Sequence, residues 1–206
     1  GIAPVQVDVA DFYAPAVIIL LLQHLCITFA GLSLVRERQL GTIELFRVAP
    51  LSSIETLLGK YVSYLVFVGI LMVVLTVLVV FVLGVPMLGD WWQYVAVLAG
   101  VAFTSLSLGF LISLISQSDS QAVQYSMFVL LASVFFSGFF VALFQLWEPV
   151  RVISWALPAT YGILMLQNVM LRGMFADPYL IAVLFAIGLG LFFLSLLLLR
   201  RLMARG

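Results

Sequence analysis

Arg36, Glu37, Arg38, Glu44, Arg47, Glu55 and Lys60 crowd into residues 36–60 of a chain that is otherwise almost all apolar. The stretch holds four of the nine basic and three of the nine acidic residues. Charges of both signs on short amphipathic segments can form charge-assisted hydrogen bonds with a soluble partner. The same inventory excludes most catalysis. One histidine (His24) and one cysteine (Cys26) allow no HExxH motif, His-rich metal cluster or cysteine zinc site. Gly59-Lys60 resembles the end of a phosphate-binding Walker A loop. Ile54, however, stands where its first glycine must be, and Tyr61 where Ser or Thr must be. Acidic residues lie at the edges of the apolar runs rather than paired inside them, which leaves a proton relay little support. A net charge of zero gives no general attraction to nucleic acid.

The elements that must position these residues are membrane helices. The chain is 65% hydrophobic and 9% charged, against about 25% charged in ordinary soluble domains. A bilayer core about 30 Å thick needs roughly 20 apolar residues in a helix. Five stretches qualify: about 14–35, 61–84, 92–116, 121–143 and 178–199. None alternates apolar and polar residues as a membrane β-strand would. The expected fold is all-α: a polytopic transmembrane helical bundle forming one domain, 1–206. The first span is too long for a cleaved signal peptide, and Asp8 and Asp11 precede it instead of a basic region. A single cysteine excludes a disulfide within the chain.

Basic residues orient the bundle. Arg36, Arg38, Arg47 and Lys60 follow span one, and Arg200, Arg201 and Arg205 follow span five, so the positive-inside rule assigns both groups to the cytoplasm. Arg151 and Arg172 fall outside. The N-terminus is then external and the C-terminus cytoplasmic. With an odd number of spans and Gly1 as first residue, the expectation is a fragment lacking an upstream helix. A five-span protein with an external N-terminus is the other possibility.

Residues 36–60 read as a helical hairpin at the membrane surface. Gly41 breaks span one, Thr42 caps a short helix over 43–49, and Pro50 stops it. Ile43, Leu45, Phe46 and Ala49 share one side of that helix, and Glu44 and Arg47 the other. Ser52 with Glu55 forms a capping box for span two. The plainer alternative is a solvated loop whose charges only set topology. Residues 144–177 are too apolar for an ordinary loop and are broken by Pro149 and Pro158. They read as two short helices dipping back into the outer leaflet after Ser137-Gly138, or as an amphipathic helix lying flat. Small residues from Ala96 through Gly100, Thr104 and Gly109 to Ser113 predict close helix packing. Span one also contains Gln23, His24 and Thr28; His24 reads more simply as a neutral histidine bonded to a neighbouring helix than as a functional site.

Arg36-Glu37-Arg38, Gly41-Thr42, Glu44, Pro50, Glu55 and Gly59-Lys60 together resemble the ABC type-2 transporter permeases. Gly109 to Ser113, Gln121-Ala122, Ser137-Gly138, and Ile153-Ser154 leading to Pro158 and Tyr161 match in the same order. The likeness covers nearly the whole chain. Ala142 stands where that family often has proline, and only Pro149 supplies one near Trp147 and Glu148. The resemblance implies a six-helix permease of which this chain is helices two to six. It also implies a dimer, homo- or heterodimeric, and a cytoplasmic ABC ATPase partner. ATP and magnesium would sit on that partner and no cofactor on this chain. The helix after Gly41 would be a coupling helix seated in the ATPase, with Arg36, Glu37, Arg38, Gly41, Thr42, Glu44, Arg47, Pro50 and Glu55 as the coupling residues. Ser137, Gly138, Pro149 and Pro158 would shape the re-entrant hairpin. Export of a hydrophobic drug, lipid or lipid-linked substrate would follow, with membrane lipid as a contact and no nucleic acid. A membrane anchor or sensor that binds a soluble partner and moves nothing is the rival reading.

Overall fold

The computed structural model describes residues 9–41, 52–140 and 147–204. The expected helix 43–49, with Thr42, Glu44, Arg47 and Pro50, lies outside the described residues. Helix α1 spans Val9–Gln39. Helix α2 spans Ser53–Thr76 and continues through a π-helical stretch, Val77–Val82. Then follow α3 (Trp91–Ile115), α4 (Asp119–Phe136), α5 (Glu148–Ala156), α6 (Pro158–Arg172) and α7 (Pro178–Ala204).

Helices α1 and α3 form the centre, running parallel. Ala30 and Ile27 of α1 meet Gly109 of α3 so closely that a Cβ on Gly109 would stand 2.7 Å from the Ala30 Cβ and 2.8 Å from the Ile27 carbonyl oxygen. Only glycine lets the two backbones approach this far. Helix α7 also runs parallel to α3, with Leu184 beside Gly100 and Gly188 against Phe103 and Thr104. Thr104 Oγ1 donates to the Leu184 carbonyl at 2.9 Å. The small residues predicted to pack therefore serve both neighbours of α3. Of the apolar stretch of α3, 67% is buried inside the bundle, against 17% for α2. Helix α2 presents Val62, Val66, Ile70, Val73 and Phe81 outward. An apolar face that long fits a lipid surround.

Connectivity decides the number of crossings. Four described helices are long and apolar enough to span a membrane alone: α1, α2, α3 and α7. Helix α4, with 18 residues, falls short of the roughly 20 usual for a span. Yet its first turn pairs with Arg36 and its far end packs Phe139 on Tyr13 of α1. Those α1 positions are roughly 35 Å apart at 1.5 Å per residue, so α4 and the bend after it run alongside most of α1. The helix expected to run to residue 143 ends at Phe136, because Ser137 caps it and Gly138 takes φ 94°, a left-handed geometry suited to glycine.

Helices α5 and α6 meet at an 85° bend. Pro149 and Pro158 sit in their first turns, where a missing N–H costs nothing. Gly162 of α6 packs on Ile19 and Val101 at mid-bundle, whereas Met170 accepts a hydrogen bond from the Leu88 amide at the end where α3 begins. The chain leaves α4 and joins α7 at that same end, so α5 and α6 dip in and return. The expected two-helix re-entrant hairpin fits this arrangement; a single flat amphipathic helix does not.

Candidate functional site

The opposite end gathers the C-termini of α1, α3 and α7 and the N-termini of α2 and α4. Here the run Arg36-Glu37-Arg38 closes α1. Arg36 Nε donates to Asp119 Oδ2 at 2.9 Å, reaching the first turn of α4. Glu37 pairs through Oε1 with the Lys60 ammonium of α2, which also donates to Ser33 Oγ at 3.1 Å. Arg38 lays its guanidinium over the end of α3, donating to the Ser113 and Ser116 carbonyls, the latter at 2.6 Å. A helix C-terminus leaves its last carbonyls without intrahelical partners and carries partial negative charge, so a cation there is favourable.

Further bonds hold the same corner. The Ser113 hydroxyl accepts from the backbone amides of Leu34 at 2.9 Å and Val35 at 3.0 Å. The α3–α4 turn is fixed by Ser118, whose side chain accepts from the Gln121 amide, and by Gln121 Oε1, which accepts from the Gln117 amide at 2.7 Å. The chain reverses after α1 at Gly41, with φ 73°. It re-forms a helix at Ser52, where the predicted capping box is complete: the Glu55 amide donates to Ser52 Oγ and Glu55 Oε2 accepts from the Ser52 amide at 2.7 Å. A cleft of about 470 Å³ between α1 and α2 is lined by Ser33, Glu37, Glu55, Lys60 and Tyr64.

The described residues thus bring Arg36, Glu37, Arg38, Gly41 and Glu55 to one end of the bundle. Ser137, Gly138, Pro149 and Pro158 belong to the other end and to the hairpin. Halfway along α1, Gln23 Nε2 donates to Ser133 Oγ of α4 at 2.6 Å. The bond to a neighbouring helix expected of His24 is not made at Nδ1, which has no partner among the described residues. Sequence reasoning missed Asp119 as the partner of Arg36 and Ser113 as the bolt between α1 and α3. The signal for Asp119 was present: an acidic residue one place after a helix cap, close to a turn of two helices.

A sequence profile described as "ABC-2 type transporter" matches residues 3–171. The chain belongs to the ABC-2 type transporter family. It is similar to the probable multidrug ABC transporter permease YbhS of Escherichia coli K12, 28% identical over 187 residues, covering 90% of this chain and 49% of that protein. It is also similar to the inner membrane transport permease YhhJ of the same strain, 29% identical over 169 residues, 82% and 45% of the two chains. ABC transporter G family member 20 of Dictyostelium discoideum is 24% identical over 169 residues, 79% of this chain and 22% of that one. The chain spans about half the length of the two bacterial relatives it matches. No solved structure matches it. It is an all-α, multi-pass membrane protein of an ABC-2 transporter permease family.

Proposed function

We propose that this ABC-2 chain is the membrane-spanning permease part of an ATP-driven exporter, coupled to a cytoplasmic ATPase through residues 36–60. The carrying observation is the segregation of charge within a family-matched bundle. Arg36, Arg38 and Lys60 lie at the end to which α7 brings Arg200 and Arg201, whereas Arg151 and Arg172 lie towards the other end. Under the positive-inside rule the first end is cytoplasmic. Gly41 ends one described stretch and Ser52 begins the next at that end, and Glu44 and Arg47, between them in the sequence, would supply the charges for the partner. ATP and magnesium bind the ATPase. Two permease copies assemble, with α1 and α4 lining the path between them. A hydrophobic drug, lipid or lipid-linked molecule suits such a path, and the YbhS relative is named a probable multidrug permease.

Affinity purification of the full-length protein from its native membranes tests this reading. Recovery of a Walker A-containing subunit or domain with it is the expected result. Recovery without any ATPase contradicts export and favours an anchor or sensor.

A further inference from the structure

We infer that Arg36, Glu37 and Arg38 are a three-way clamp, positioning residues that make α4, α2 and α3 follow the end of α1, rather than contacts for the ATPase. The inference rests on the transport reading above and reassigns three of its coupling residues. Successive helix residues point about 100° apart, at 3.6 residues per turn. Three consecutive long side chains at a helix end therefore address three different directions. Here each direction holds a different neighbour: Asp119 on α4, Lys60 on α2, and the terminal carbonyls of α3.

The order of signs, plus-minus-plus, follows from those neighbours. Helix α4 brings an acid in its first turn, α2 brings an ammonium, and α3 brings the negative end of its dipole. Availability points the same way. The Lys60 and Glu37 side chains are 12% and 26% exposed, and Arg38 is committed to carbonyls on α3. Only the Arg36–Asp119 pair is open, at 60% and 38%. A docking protein would find little of this charge free. A push on the chain just after Gln39 would instead reach three helices at once through side chains already engaged.

Charge exchange tests the clamp. The full-length permease and its ATPase are reconstituted in proteoliposomes, and ATP-dependent ethidium movement is measured per ATP hydrolysed. Glu37→Lys and Lys60→Glu each lower that ratio at least about fivefold, since breaking a largely buried ion pair strands its partner. The exchanged pair restores at least half of it, because the Ser33 hydroxyl can donate as well as accept and serves either arrangement. Arg36→Asp with Asp119→Arg behaves alike with a smaller fall, and this exposed pair keeps the test open if the buried variants fold poorly. Loss of protein alone lowers dye movement and hydrolysis together and leaves the ratio unchanged. A ratio unaffected in the single variants, or an exchange no better than either of them, overturns the clamp. The same ratio is read with a fluorescent phospholipid where ethidium is not moved; wild-type protein that moves neither probe defeats the transport reading before any variant is compared, and the clamp's role in transport falls with it.

Discussion

Arg38 is the residue whose chemistry is best defined. Its guanidinium supplies donors in a fixed fork to carbonyls that α3 cannot satisfy internally. Lysine keeps the charge but not the fork. Arg38→Ala should cost about 2 kcal/mol, since hydrogen bonds from a charged group contribute roughly 1.5–3 kcal/mol. Arg38→Lys should recover part of that. Thermal unfolding of the detergent-solubilised protein measures both, and a wild-type midpoint for Arg38→Ala would remove the capping role. The Arg36–Asp119 pair, by contrast, is exposed, and exposed pairs contribute about 0–1 kcal/mol. Its value is directional.

Among the elements, α1 and α3 come close enough at Gly109 to exclude any side chain there. Gly109 leaves no space for a methyl group: the nearest α1 atoms would be a side-chain Cβ at 2.7 Å and a backbone carbonyl oxygen at 2.8 Å. Neither is the tip of a flexible side chain, so the helices must separate. Gly109→Ala should destabilise by about 1–3 kcal/mol, the usual cost of overpacking. Gly69→Ala, on the open face of α2 where nothing lies within 4 Å, should be neutral or stabilising. Chemical unfolding of the two variants side by side separates packing from helix propensity. If Gly109→Ala matched Gly69→Ala, α1 and α3 would not be packed as described.

The elements also show what was legible in the residues alone. The capping box at Ser52 and Glu55, the break at Gly41 and the prolines of the hairpin are local signals, and each appears where its spacing placed it. The end of α4 was legible only in Ser137-Gly138, because the apolar run resumes at Phe139-Phe140 and hydropathy is blind to the φ of Gly138. The π-helical stretch at Val77–Val82 has no residue signature. The partners of Arg36, Glu37 and Arg38 depend on three helices converging, which periodicity within one helix cannot reveal.

At the scale of the molecule, α1, α3 and α7 run one way and α2 and α4 the other, with α5 and α6 folded back into the end opposite the charges. This gives the bundle two chemically different ends. One is sealed by the re-entrant hairpin and the Leu88–Met170 and Gln93–Ala176 hydrogen bonds. The other is tied by the Arg36–Asp119 and Glu37–Lys60 ion pairs where α1 ends and α2 and α4 begin. Under the proposed function, the residues between α1 and α2 link an ATPase to the membrane helices. The most direct measurement is ATP-driven transport by the full-length permease with its ATPase, comparing wild type with the Glu44→Ala, Arg47→Ala double variant. The expected result is a folded double variant in which ATP hydrolysis no longer drives transport; transport equal to wild type would remove the coupling role of Glu44 and Arg47.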